Sequence, residues 1–236
     1  MKIAAIVPAY NESNAIKNVV NELNAMSVNE KFQLTVVVVN DCSTDDTGII
    51  IDQLNCVALH LPVNLGIGGA VQTGFRFAFE NDFDFAIQVD GDGQHPAQEI
   101  PKIISGAIEN SWDVTIGSRF LTKEGFQSSS MRRAGIKYFS RLNKVLTGFS
   151  IHDTTSGFRL LNKKALAIVS EYYPDEYPEP EAIVLYARHN LRVGEVQVQM
   201  RERQGGVSSI NSSGAVYYMG KVTLACLFTK MRKLGY

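Results

Sequence analysis

The chain has few cysteines: Cys42, Cys56 and Cys226 are an odd number, widely spaced, with no Cys-x-x-Cys pair. That pattern excludes a disulfide framework and a zinc knuckle, and it fits a reducing compartment. Also missing is any uninterrupted apolar run of the roughly 18 residues that a membrane-spanning helix needs. The first residues, Met1-Lys-Ile-Ala-Ala-Ile-Val-Pro8, are too soon broken for a signal peptide. Charge of one sign is not in excess, since 23 Lys and Arg face 24 Asp and Glu, for a net charge of -1. Such a balance speaks against a general nucleic-acid binder, whose affinity rests on many phosphate contacts. There is no P-loop signature, and no glycine turn follows the first strand as a dinucleotide fingerprint requires. The expectation is a cytoplasmic protein without a membrane span of its own.

What remains is material for one α/β domain. The 236 residues are 45% hydrophobic, enough for one sizeable core. Short β-branched runs alternate with helical spacing: strands over 3–7, 34–39, 57–61, 85–89 and 114–117, with helices over 14–26, 44–54, 97–109 and from the glycine turn to Phe79. Four consecutive valines, Val36 to Val39, read as a central strand covered on both faces. The alternation predicts a single doubly wound α/β domain with a mostly parallel sheet. The second half is less regular: a loop over 120–130, a helix over 131–146, and a turn at Asp153–Gly157. A short strand over 158–161, a helix over 181–190 and a strand over 193–200 come next. After a flexible loop over 205–213, a last helix covers 216–234.

Open α/β sheets bind ligands at the carboxyl ends of their strands, and polar residues gather there four times. Pro8-Ala-Tyr-Asn-Glu12 follows the first strand, Asn40-Asp41 the second, Asn64-Leu-Gly-Ile-Gly-Gly69 the third, and Asp90-Gly-Asp92 the fourth. Carboxylates two apart, with Gly91 between them, can converge on a hard cation such as Mg²⁺ or Mn²⁺, which is commonly shared with a substrate diphosphate. The plainer reading of the same residues is an acidic turn before a helix. His95 is a third ligand, a phosphate contact or a surface histidine. Gly66-Ile-Gly-Gly69 either presents backbone N–H groups to phosphate or allows close helix packing.

In order, Val7-Pro-Ala-Tyr-Asn-Glu12, Val39-Asn-Asp-Cys-Ser-Thr-Asp45, Asn64-Leu-Gly66, Asp90-Gly-Asp-Gly-Gln-His-Pro96, Gly117-Ser-Arg-Phe120 and Thr155-Ser-Gly-Phe-Arg159 resemble the family 2 glycosyltransferases of the GT-A fold. Within that family the chain most resembles the dolichyl- and polyprenyl-phosphate sugar synthases. The likeness runs from the N-terminus to about residue 210, which sets the expected boundaries: a GT-A domain over 1–210 and a C-terminal amphipathic helix over 211–236. It implies that Pro8, Tyr10 and Glu12 line a nucleotide pocket, with Asp41 at the base or ribose. It further implies that Asp90 and Asp92 bind the metal, joined by His95 if it ligates, and that Arg203 meets the donor diphosphate or the acceptor phosphate. Gly66, Gly91, Gln94 and Arg119 complete the expected nucleotide-sugar contacts. Two departures stand out. Asn40-Asp41-Cys42-Ser43 replaces the usual Asp-Asp-Gly-Ser, and the transmembrane tail of many lipid-phosphate members is missing.

The resemblance implies inversion by direct displacement, which agrees with the absence of a Ser-His-Asp or Cys-His arrangement. Charge building on the leaving diphosphate calls for a divalent ion and arginines; Arg119 and Arg159 either bind phosphate or form salt bridges. A hydroxyl acceptor also needs a base, for which Asp153 and Glu181 are the candidates; Glu181 equally suits a helix N-terminus. An ionised lipid phosphate needs much less help. The donor is a UDP-, GDP- or dTDP-sugar. The acceptor is a polyprenyl phosphate or, alternatively, a cell-surface polysaccharide or other glycan hydroxyl. A sugar-1-phosphate nucleotidyltransferase and a non-catalytic nucleotide-binding subunit are the remaining readings. The basic, apolar C-terminal helix suits an anionic membrane surface, a small membrane-protein partner, or packing on its own domain, and the expectation is peripheral association with the inner face of the membrane.

Overall fold

The central valines place the sheet. In a computed structural model describing residues 1–27, 32–122, 130–202 and 214–232, β1 (Lys2–Ala9) pairs in parallel with β2 (Gln33–Asn40), Ile3 opposite Leu34 and Val7 opposite Val38. Alternate side chains of β1 serve opposite faces, as a pleated strand requires. Ile3, Ala5 and Val7 join one core and Ala4 and Ile6 the other. The first core packs α1 (Ile16–Ser27), α2 (Thr47–Ile51) and α4 (Ile100–Asn110) on the sheet. The second packs α3 (Gly66–Glu80), α6 (Lys163–Glu171) and α7 (Pro178–Arg188).

β3 (Val57–His60) flanks β2, and β4 (Phe85–Gln88) flanks β1, both in parallel. Beyond β4 the order is β6 (Arg159–Asn162), β5 (Val114–Ser118) and β7 (Val193–Gln197), completing a seven-stranded sheet ordered β3-β2-β1-β4-β6-β5-β7. The sheet is mostly parallel, as expected, with β6 antiparallel to both neighbours. That reversal brings the start of β6, and the turn before it, to the end of the sheet where β1, β2 and β4 finish.

Helix α6 has no counterpart in the sequence reading, although its signal was there: Asn162 caps it by accepting from the Ala165 N–H. The helix expected over 44–54 is only Thr47–Ile51, and the one expected over 181–190 starts at Pro178, where proline suits a first helical turn. α5 (Ser130–Thr147) and α8 (Gly214–Met231) add a third small core, in which Phe139, Val184, Val222 and Cys226 meet. α8 is apolar on more than this buried face, with Tyr217, Leu224, Phe228 and Met231 all more than half exposed. The expected amphipathic helix is therefore apolar nearly all round. Among the described residues no helix is long and apolar enough to cross a membrane.

Candidate active site

A cleft of about 870 Å³ opens where β1, β2 and β4 end, lined by Pro8, Tyr10 and Glu12, by Asp41, and by Asp90, Gly91 and Asp92. Gly66 of α3 lies beside them, and the far wall is the segment Asp175–Glu179. The sequence motifs thus converge, but that far wall was not anticipated. Its only sequence signal is the acidic run without Lys or Arg before α7.

The β1 and β2 turns are laced together. Asn11, at φ +57°, accepts through Oδ1 from the Thr44 N–H at 2.8 Å, and the Glu12 N–H donates to Thr47 Oγ1 at 2.8 Å. Asn40 is occupied too, accepting from the Ser43 N–H and meeting the His60 ring at 3.0 Å. Cys42 sits at φ +58°, in the left-handed region that favours glycine, which explains why the family pattern has glycine there.

Asp41 is 3% exposed, and its two carboxylate oxygens accept from the Leu65 and Gly66 N–H groups at 2.7 and 2.9 Å. It caps α3, where its charge suits the helix dipole. Gly68 N–H donates to the Asp175 carbonyl at 2.8 Å, and a Cβ on Gly68 would come within 2.1 Å of that oxygen. The phosphate cradle expected of Gly66-Ile-Gly-Gly69 is thus taken at Leu65, Gly66 and Gly68 by the protein's own acceptors. Close packing, the alternative, is what Gly68 allows, whereas Gly66 meets nothing within 4 Å and serves the turn through its φ of +76°.

Asp90 faces the cleft at the end of β4. Its Oδ1 accepts from Gln88 Nε2 at 3.2 Å, and its Oδ2 lies 3.6 Å from His95 Nε2. His95 Nδ1 accepts from the Asp90 backbone N–H at 3.0 Å, which places the ring proton on Nε2, toward the carboxylate. The imidazole is 6% exposed and stacks on Phe158 at 4.6 Å. His95 is therefore not placed as a third metal ligand or a phosphate contact, because neither ring nitrogen offers a lone pair to the cleft; it holds Asp90. Gly157 closes the same corner. A Cβ there would lie 2.7 Å from Gln88 Nε2 and 3.2 Å from Asp90 Oδ1.

Asp92 is 3% exposed and accepts from the Gln94 N–H at 3.0 Å. Gln94 itself does not line the cleft; its backbone carbonyl accepts from the Arg201 N–H at 3.0 Å. Arg203 lies outside the described residues.

Seven carboxylates line the cleft, from Glu12, Asp41, Asp90, Asp92, Asp175, Glu176 and Glu179, and among the described residues no lysine or arginine does. A diphosphate entering such a field needs a compensating cation. Asp90 and Asp92 offer the hard oxygen donors that Mg²⁺ or Mn²⁺ prefers. No cluster of three or more His, Cys, Asp or Glu able to hold a metal occurs among the described residues. An ion here would draw its other ligands from substrate and water, as Mg²⁺ commonly does.

The candidate bases do not reach the cleft. Asp153 is wholly buried and grips Arg119, accepting from its Nε at 2.7 Å and Nη2 at 2.8 Å. With its oxygens saturated by a guanidinium that is itself 5% exposed, it cannot take a substrate proton, nor is Arg119 free to meet a phosphate directly. Burial pulls the Arg119 pKa down, but Asp153, Asp90 and Glu179 outweigh it and hold the group charged. Glu181 points away from the cleft and accepts from Thr229 Oγ1 of α8 at 2.6 Å. Arg159 is fully buried and donates through Nη2 to the Glu179 carbonyl at 2.8 Å, pinning the far wall rather than binding phosphate.

A nucleotide-sized cleft with paired carboxylates at the carboxyl ends of a mostly parallel sheet defines a nucleotide-dependent α/β enzyme. The chain belongs to glycosyl transferase family 2, whose profile matches residues 4–168, and it is a glycosyltransferase. It is 31% identical over 217 residues to the UDP-N-acetylglucosamine–dolichyl-phosphate N-acetylglucosaminyltransferase of Methanococcus voltae, covering 84% of each chain. It is 27% identical over 227 residues to the polyprenol monophosphomannose synthase of Mycolicibacterium smegmatis, covering 92% of this chain and 84% of that one. Among solved structures, glucosyl-3-phosphoglycerate synthase from Mycobacterium tuberculosis, in complex with Mn²⁺, UDP and phosphoglyceric acid, superposes with a TM-score of 0.71 at 15% identity. That match covers 99% of this chain and 80% of the other, and it shows the shared GT-A fold.

Proposed function

We propose that the protein transfers a sugar, with inversion, from a nucleotide-sugar to a polyprenyl phosphate at a membrane surface. The observation that carries the acceptor is the sequestration of both candidate bases, Asp153 against Arg119 and Glu181 against Thr229. A hydroxyl acceptor needs proton removal, whereas an ionised phosphate attacks without it. The names of the two relatives, both lipid-phosphate transferases, support the same acceptor. A UDP-sugar is the favoured donor, because the Methanococcus relative is named for one; GDP- and dTDP-sugars remain in the test.

Asp90 and Asp92 would hold Mg²⁺ or Mn²⁺, which supplies the positive charge that stabilises a leaving diphosphate. Gln88 donates to the Asp90 carboxylate, His95 accepts from the Asp90 backbone N–H, and Gly157 leaves the carboxylate its room. The Pro8–Glu12 turn and Tyr10, which is 48% exposed, border the space for the nucleoside. Arg203 would meet a phosphate. Its neighbour Arg201 is bonded through its backbone to Gln94, two residues past Asp92, and that supports the assignment. The exposed apolar residues of α8, with Lys230 and Arg232 at its end, would rest on the membrane face.

A second reading keeps a glycan hydroxyl as acceptor, because Glu179 does line the cleft and would be its base. Purified protein, given UDP-, GDP- and dTDP-sugars with Mg²⁺ or Mn²⁺, separates the two. Nucleoside diphosphate release that requires polyprenyl phosphate and vanishes in Asp92→Ala is the expected outcome. Release that a glycan supports and the lipid does not would transfer the assignment to the glycan reading.

A further inference from the structure

The far wall of the cleft has a second side. Asp175, Glu176 and Tyr177 also line a second hollow of about 280 Å³, which adds Tyr172, Glu181 and Ala225. Those three residues in turn line a third hollow of about 410 Å³, ending at Phe228, Met231 and Arg232. The second and third hollows follow the seam between α8 and the segment leading into α7, and the second shares the far wall of the cleft. The seam's length from Lys221 to Met231 is roughly 15 Å at the helical rise of about 1.5 Å per residue.

The seam changes character along its course. At the cleft end Lys221 pairs with Glu176, and Tyr177 packs edge-on against Tyr218 at 4.6 Å. The middle and far stretches present Tyr172, Ala225, Phe228 and Met231, and the Glu181 carboxylate there is engaged by Thr229. Next to Ala225, Cys226 is buried in the third core, and burial, aided by the Glu181 charge, pushes its thiol up to about 12. At the exit Arg232 lies over the Tyr172 ring at 4.8 Å. Phe228 and Met231 are 63% and 68% exposed, an apolar surface that calls for a partner.

We propose that this seam is the subsite for the isoprenoid chain of the acceptor, carrying it from the phosphate in the cleft to the membrane face of α8. The proposal rests on the lipid-phosphate reading above. A prenyl phosphate must put its phosphate at the sugar and its tail in the bilayer, and the seam joins those two places. Two other occupants, the bilayer itself and a second copy of the chain, are separable by experiment.

Acceptors of one and three isoprene units, dimethylallyl phosphate and farnesyl phosphate, test the seam without a membrane. Filling its middle with Ala225→Trp is expected to cut the preference for the longer acceptor about tenfold, because the extra units lose their apolar contact. Val145→Trp, which adds the same indole at an exposed site on α5, keeps the wild-type preference. Wild-type protein photolabelled with a benzophenone-bearing farnesyl phosphate gives the same information without relying on a variant's folding. Label within residues 172–181 and 221–232 is expected. Label confined to other peptides, label that appears only with vesicles, or label only in covalent dimers overturns the subsite. If neither prenyl phosphate is glycosylated nor competes with any acceptor, the lipid-phosphate reading itself fails. If both are glycosylated but Ala225→Trp leaves the preference intact, only the seam fails.

Discussion

The rings of His95 and Phe158 lie parallel, 4.6 Å apart with 6° between their planes, and the stacked imidazole accepts from the Asp90 backbone N–H with its Nε2 3.6 Å from the carboxylate. Phe158 is the residue before β6, so the reversed strand supplies the support for a carboxylate just past the end of β4. Residues that orient a ligating carboxylate commonly matter about 10- to 100-fold in metal affinity. His95→Ala is expected to weaken Mn²⁺ binding by about that range, with Phe158→Ala following in the same direction. Titrating free Mn²⁺ by electron paramagnetic resonance reads this without turnover; unchanged affinity in both variants would remove His95 from the site.

Cys42 is held at φ +58°. An L-residue there costs about 1–2 kcal/mol, partly offset by the roughly 0.5–1 kcal/mol that glycine adds to the unfolded chain's entropy. Cys42→Gly is expected to raise stability by about 0.5–1 kcal/mol, and urea denaturation measures it. A destabilised variant would contradict the account of this turn.

Asp153 and Arg119 form a buried pair, so breaking it on one side leaves an uncompensated charge. Asp153→Ala is expected to cost about 3–5 kcal/mol of stability. A fully stable variant with selectively lost turnover would instead restore Asp153 as a catalytic group.

Glu179 decides between acceptors. With a prenyl phosphate, Glu179→Gln is expected to keep turnover within about threefold, since no general base is required there. Single-turnover rates measure this, and a loss of about 10²- to 10⁴-fold, the usual worth of general-base catalysis, would favour the hydroxyl acceptor.

The exposed face of α8 gives a further handle on function. Leu224→Glu with Phe228→Glu is expected to abolish co-flotation with anionic vesicles, because the apolar contact is lost and like charge is added. Flotation that survives both substitutions would place the membrane contact elsewhere.

Much of the cleft is legible in the sequence because it is local. Each strand carries its polar turn directly behind it, so Pro8–Glu12, Asp41 and Asp90–Asp92 were placed by the simple rule that ligands gather at strand ends. Failures came where partners are distant in sequence. His95 looked like a ligand because its stack on Phe158, 63 positions later, cannot be read from the motif. Asp153 looked like a base because nothing nearby in sequence reveals that Arg119 saturates it. Glu179 and Glu181 are two apart in one helical turn, and periodicity alone does not tell which one looks at the cleft. Helix α6 was missed for a different reason, since its Asn162 cap follows straight on from a strand and the change of period is brief.

β6 runs against its neighbours, and this divides the enzyme's inheritance. One wall of the cleft is written before residue 93, whereas the opposing wall and the seam along α8 are written after residue 171. The family profile stops at residue 168, short of the second stretch. On the proposed assignment, the grip on the donor lies inside the stretch that the family profile describes, and the choice of acceptor lies in a separate paragraph of the same polypeptide.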